Sequence, residues 1–366
     1  MDKTRVLLLP IGQGASIVAN GLKRKNKRYP ILFINSTPRD SVGLEFFKPD
    51  LNVVLYNGAK GTGNNSELGK ELAEDNRFAI NSKLASYNSI DIFNVMFTMG
   101  GGTGSGGFST IVKLIKRSYP SKKVNLVGFA PRIDEGVDRI ENFLKCWNEI
   151  DEVLELVDDV KIVDNSYKYD SENKSFDAVN KAAIEHIDAM YSLTSSSVGA
   201  SIDENDSYKV CTAKGFGQVL LLPDLDIESK VAIDIALGNS PFALPEKNEL
   251  KCQYAGINIK PEPYNHSDIA KNIKASTEPY TGLNGKQNIV VLGGGEMPTE
   301  FADILEEQYK EAKAEEKNRR SESRASHKIK LDLDDEDDSN KPRLKSNDLF
   351  IDDDEDDELL LDDSWM

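Results

Sequence analysis

The 366-residue chain has only three cysteines, three histidines and two tryptophans. Cys146, Cys211 and Cys252 are odd in number, far apart and without a CxxC pair, which argues against a disulfide framework and a zinc site. His186, His266 and His327 are scattered and offer neither a catalytic triad nor a metal site. Long apolar runs are lacking too. The early run at residues 6–9 stops at Pro10, too short for a bilayer span or a signal-peptide core, so a cytoplasmic protein without membrane contact is expected. The Walker pattern GxxxxGK followed by Ser or Thr is also absent, and any phosphate cradle must be of another kind.

Acid, by contrast, is plentiful, and it is unevenly distributed. The net charge is −17, yet residues 331–366 hold 16 Asp and Glu against three Lys and Arg, which leaves only −4 for the other 330 residues. A segment so charged and so poor in apolar groups cannot offset its ordering entropy, so a disordered acidic tail is expected over 331–366. The tail contains two acidic-hydrophobic blocks, 331–338 and 349–363, with Leu359, Leu360, Leu361 and Trp365. Apolar anchors among acids suit a motif that folds on a basic partner. A tail that only limits bundling is equally compatible. Direct binding of nucleic acid by this tail is not expected, since it would repel phosphates.

Apolar runs at 6–9, 31–34, 53–56, 92–97 and 124–129 read as parallel strands covered on both faces. Helical patterns lie between them; Phe108, Ile111, Val112 and Ile115, for example, share one stripe. This alternation predicts a doubly wound α/β domain over the first half, with ligands bound at the carboxyl ends of its strands. A helical pattern without Gly or Pro follows from Ser175 to about residue 193. Further strands are read at 219–222 and 289–292. Pro298 and Thr299 open a long terminal helix whose stripe of Phe301, Ile304, Leu305 and Tyr309 fades into charged sequence.

Between the strand at 93–97 and the helix from Phe108 stands the run Gly100, Gly101, Gly102, Thr103, Gly104, Ser105, Gly106. Glycines at a strand-to-helix turn let backbone N–H groups approach phosphate oxygens, and the helix points its positive end at the same spot. A flexible linker is the bland alternative, but linkers do not usually join a buried strand to an amphipathic helix.

This run closely resembles the signature loop of the tubulin/FtsZ superfamily, and further motifs follow in order. Gly12, Gln13 and Gly14 resemble the first nucleotide loop, and Asn35 the second, although Thr37 stands where the family often has an acidic residue. Gly61, Thr62, Gly63 and Asn64 resemble the loop that senses the γ-phosphate. Pro131, Glu135 and Arg139 match the PxxxEG motif and its Arg. Asn165, Phe176 and Asn180 resemble the residues that contact the base. The resemblance implies GTP and GDP as ligands, with Mg²⁺ held mainly through the phosphates and no dedicated protein metal site.

Residues 201–206 resemble the family's synergy loop, with Ser201 in place of its Asn and with Asp203 and Asp206 on its two acidic positions. With Asn180 on the base, the helix that follows spans on the order of 25 Å, too far for these carboxylates to act on their own subunit's nucleotide. They would act on a neighbour's in a head-to-tail stack, which does not close and so builds a filament. The expected organisation is a Rossmann-like GTP-binding domain at 1–174, a central helix and synergy loop at 175–206, and a smaller α+β activation domain at 207–297. A C-terminal helix at 298–330 and the tail complete it. The resemblance implies a GTPase activated by polymerisation, of the plasmid and phage segregation (TubZ) type, partnered by itself and by a basic DNA-binding adaptor on the tail. A division-type filament, a nucleotide-binding filament without turnover and a nicotinamide-dependent oxidoreductase are the alternatives. The oxidoreductase would require a third glycine at Ile17 and an acidic end to the second strand, and both are missing.

Overall fold

Strand β1 (Val6–Ile11) is buried at every position, and the rest of the fold follows from covering both its faces. The computed structural model describes residues 1–326, apart from 40, 59, 198–199, 245–249 and 284–285; the tail at 331–366 lies outside the described residues. The other strands are β2 Phe33–Asn35, β3 Val53–Leu55, β4 Ile92–Thr98, β5 Lys123–Ala130, β6 Asp159–Asp164, β7 Ser195–Ser197, β8 Ala200–Ile202, β9 Phe216–Leu222, β10 Lys251–Cys252, β11 Tyr254–Ile259, β12 Lys274–Ala275, β13 Tyr280–Leu283 and β14 Asn288–Gly295. The helices are α1 Gln13–Lys25, α2 Pro49–Asn52, α3 Ser66–Asp75, α4 Arg77–Leu84, α5 Gly102–Ser118, α6 Val137–Val153, α7 Asp177–Met190, α8 Glu204–Cys211, α9 Ser229–Gly238, α10 His266–Ala270 and α11 Thr299–Ser326.

Ten strands form one sheet in the order β13-β11-β14-β9-β6-β5-β4-β1-β2-β3. From β3 to β9 every neighbour is parallel, while β14 runs antiparallel to both β9 and β11. Parallel neighbours require crossovers, and alternate residues of each strand face opposite sides. Leu7, Leu9, Phe93, Val95 and Phe97 therefore pack on one face with Phe108, Ile111 and Ile115 of α5 and Phe143 of α6. Val6, Leu8, Ile92 and Met96 pack on the other with Val18 and Leu22 of α1 and Ala183 and Ile187 of α7. This is the doubly wound α/β arrangement expected from the apolar runs. A third cluster, with Ile233, Leu237, Ile257 and Val290, lies under α9.

Two details differ from the sequence expectation. Strand β6 is central yet escapes an apolar-run reading, because Asp159 and Lys161 point inward as a 2.5 Å ion pair, each 1% exposed. Burial raises the pKa of Asp159, and the Lys161 ammonium opposes that rise. Gly217 makes the room: a Cβ there would sit 2.1 Å from Asp159 Oδ1. The central helix α7 is also shorter than expected. It stops at Met190, where turns through Ser192 and Leu193 take over, and its 14 residues span about 21 Å.

Helix α11 opens at Thr299 as expected, and Phe301, Ala302, Leu305 and Tyr309 pack on the α5–α6 side. The Tyr309 hydroxyl donates to Glu141 Oε2 at 3.0 Å. The chain divides into two units, Met1–Lys317 and Asn318–Met366. Among the described residues no helix is long and apolar enough to cross a membrane.

Candidate functional site

Helix α1 starts at Gln13 after Gly12 (φ +81), helix α5 starts at Gly102 after Gly101, and neither receives a side-chain cap. The first-turn N–H groups of a helix have no partner within it and carry its positive dipole end. The two ends are adjacent, since a Cβ on Gly12 would lie 3.6 Å from the Gly104 nitrogen. Both face a cavity of about 570 Å³.

Gly12, Gln13, Gly14, Asn35, Gly61, Thr62, Gly63, Asn64, Gly101, Gly102, Thr103, Gly104, Glu135, Arg139, Asn165, Phe176 and Asn180 all line this cavity. These residues come from six separate loops and turns that the sheet brings to one edge. Thr103 fastens three of them. Its hydroxyl lies 2.7 Å from Ser36 Oγ and 3.2 Å from Thr62 Oγ1. The loop at 61–64 turns sharply through positive φ at Gly61, Gly63 and Asn64. Asn35 is buried; its amide donates to Ser41 Oγ and accepts from the Ser36 N–H, so its side chain shapes its own loop.

Gly100, Ser105, Gly106 and Pro131 do not line the cavity. A Cβ on Gly100 would sit 2.9 Å from Pro131 Cβ and 3.2 Å from Arg139 Cβ, so this glycine admits the neighbouring loop. The Ser105 hydroxyl donates to the Gly101 carbonyl. Gly106 lies where α3 crosses α5, with a Cβ position only 1.9 Å from the Ser66 carbonyl oxygen.

At the opposite end, Phe176 precedes α7 and Asn180 follows it on the first turn. Phe176 leans on Tyr169, with centroids 5.1 Å apart, and the buried Arg132 guanidinium lies 3.2 Å over the Tyr169 ring. Glu135 accepts from the Arg132 N–H at 2.9 Å and faces Arg139 Nη1 at 3.5 Å.

The lining also contains Thr37, Arg39, Lys60, Thr98 and Phe129. Arg39 and Lys60 adjoin loops singled out by motif, so their position was a usable signal. Arg132 lies inside the Pro131–Glu135 motif and was equally open to that signal, whereas Asn142 acts across long sequence separations and left none. Arg39, Lys60 and Arg139 are the lining cations and Glu135 the lining carboxylate among the described residues, a balance that favours an anion. Glu135 is already engaged, and no group of three His, Cys, Asp or Glu able to hold a metal occurs among the described residues. A divalent cation carried by the anion's own oxygens would have the hydroxyls of Ser36, Thr62 and Thr103 beside it.

Asp203 and Asp206 lie outside this cavity, beyond the far end of α7. They form a reciprocal cap on α8: the Asp206 N–H donates to Asp203 Oδ1 at 2.8 Å, and the Asp203 N–H to Asp206 Oδ2 at 3.4 Å. Such a capping box satisfies two otherwise orphaned donors. One oxygen of each carboxylate remains outside it.

Residues 33–172 match the GTPase domain of the tubulin/FtsZ family. The tubulin-like protein TubZ of Clostridium botulinum C phage is 27% identical over 351 residues, 95% of this chain and 94% of that protein. Among solved structures, tail-truncated TubZ of Clostridium botulinum phage c-st superimposes with a TM-score of 0.76 at 25% identity, covering 86% of this chain and 100% of that one. A GTPγS-form protofilament of Bacillus thuringiensis serovar israelensis TubZ shares the fold, with a TM-score of 0.73 at 16% identity over 88% of this chain and 95% of that one. The glycine turns, the doubly wound sheet and the similarity to TubZ over most of the length accord with the match of residues 33–172 to the GTPase domain of the tubulin/FtsZ family.

Proposed function

We propose that the chain binds GTP in this cavity, hydrolyses it to GDP and phosphate, and assembles head to tail into cytoplasmic filaments. The observation that carries this reading is the meeting of two uncapped helix N-termini at a cavity whose other end presents Phe176 and Asn180. The triphosphate lies against Gly12–Gly14 and Gly101–Gly104, with Mg²⁺ carried on its oxygens. The base lies against Phe176, where the Asn180 amide offers both an acceptor and donors to guanine's edge.

Hydrolysis adds a water oxygen to the γ-phosphorus and breaks its bond to the β–γ bridging oxygen. Asp203 or Asp206 of the next subunit orients that water and accepts its proton. In this reading residues 1–174 bind nucleotide, 175–206 form the central helix and the loop that presents Asp203 and Asp206, and 207–297 form the second, activation domain. A role in segregating plasmid or phage DNA fits the likeness to a phage TubZ, and a basic DNA-binding adaptor on residues 331–366 is proposed from the acidic-hydrophobic blocks of that segment.

The test is to mix the full chain with GTP, GDP, ATP or a non-hydrolysable GTP analogue while recording light scattering and phosphate release together. Scattering and release with GTP alone, and scattering without release with the analogue, are expected. Equal response to ATP would overturn the guanine assignment. One observation favours a second reading, a filament without turnover: Asp203 and Asp206 already cap α8. Scattering with GTP but no phosphate release would select it.

A further inference from the structure

Asn142 lies on α6, is 6% exposed, and belongs to none of the motifs above. Its Nδ2 donates to the Asn64 carbonyl at 2.6 Å and to the Gly100 carbonyl at 3.3 Å. Those carbonyls belong to two loops that are 36 residues apart and share the phosphate-facing end of the cavity. The same loops meet a second time through Thr62 and Thr103. Asn142 also lies three residues beyond Arg139, so one face of α6 carries both the link to these loops and a cavity cation.

We propose that Asn142 is a positioning residue that sets the separation of the 61–64 and 100–104 loops, and through it the fit of the nucleotide's phosphates. The physical reason is the amide's chemistry. Two carbonyl oxygens repel each other at short range, and a shared N–H donor between them turns that repulsion into a fixed spacing. The 61–64 loop turns at Gly61, Gly63 and Asn64, residue types that adopt positive φ readily but do not fix it, so its shape depends on an external tie. Neither atom that the side chain contacts is a side-chain atom. The constraint therefore acts on the backbone whichever residues occupy the two loops.

This inference rests on the guanine-nucleotide reading, and its test separates the two. Affinities of the full chain for GTP, GDP and guanosine are measured for the native protein and for Asn142→Asp, which sets a carboxylate against the two carbonyls. GTP and GDP affinities should fall about tenfold, while guanosine affinity should hold. Equal loss for all three ligands, or no loss, would overturn the positioning role. A native chain that binds none of them defeats the guanine reading itself. Should Asn142→Asp fail to fold, hydrogen exchange on the native chain decides. Amides at 61–64 and 100–104 should gain protection together when inorganic tripolyphosphate or GTP is added, and protection of one loop without the other would overturn the proposal.

Discussion

Three helix starts in this molecule handle the same problem in two ways. Helices α1 and α5 begin at glycines and leave their first-turn N–H groups without a side-chain partner. Helix α8 begins at Asp203 and is closed by its own acidic pair. A glycine start is less stable in isolation than an Asp-capped one by only about 0.3 kcal/mol, and it keeps its donors available to an outside anion. A capped start satisfies itself and leaves only the outer carboxylate oxygens for other work. One end of the molecule is thus built to receive negative charge and the other to present it.

The glycines on α5 divide between these tasks, and the largest expected effect exposes the division. Gly106→Ala should destabilise the fold by about 3 kcal/mol, because its methyl would meet the α3 backbone rather than the cavity. Thermal denaturation checks this, and a variant that melts like the native chain would show that α3 can move aside. Gly101→Asp should convert the open start of α5 into a capped one. GTP affinity should drop about a hundredfold through like-charge contact with the phosphates, with a small loss of thermal stability as Thr98 Oγ1, 2.9 Å from the new Cβ, moves aside; unchanged affinity would mean that phosphate does not sit at this helix end.

The reverse experiment is made at α8. Asp203→Ala should cost about 1 kcal/mol of stability, whereas Asp203→Asn should keep the cap and the melting temperature. If the carboxylate acts in turnover, both variants lose phosphate release; an Asn variant with native turnover would leave capping as the whole role of Asp203. The smallest effect concerns His186 on α7, between the two ends. Burial holds its imidazole below the ordinary 6.5. With Nδ1 against the Ala182 carbonyl at 2.8 Å, Nε2 has no partner among the described residues, and a proton there would find no acceptor among them. The unfolded chain takes up that proton first as pH falls, so this contribution to stability is present above pH 6.5 and lost below it. His186→Leu should therefore flatten the fall in melting temperature between pH 7 and pH 5.

Much of the first half was legible because parallel strands buried on both faces are continuous apolar runs, as in β1 and β4. Strand β6 was not, since Lys161 and Asp159 cancel as a buried pair and leave no apolar run to read. Strand β11 and the edge strand β13 were missed as well; strand pairing rather than local composition defines them. At the candidate site, the glycine turns and the Glu135–Arg139 spacing were readable as local patterns. The support from Asn142 was not, because it acts on partners that only folding brings near.

The sequence by itself determined the strand–helix alternation, the glycine turns after β1 and β4, and the segregation of acid into residues 331–366. These depend on residues close in the chain, where side-chain period and backbone freedom decide. The tertiary structure alone decided which glycines face the cavity and which face α3, and that Asn142 ties two distant loops. Those outcomes depend on distances between backbones far apart in sequence, which are set by how the sheet and its helices pack.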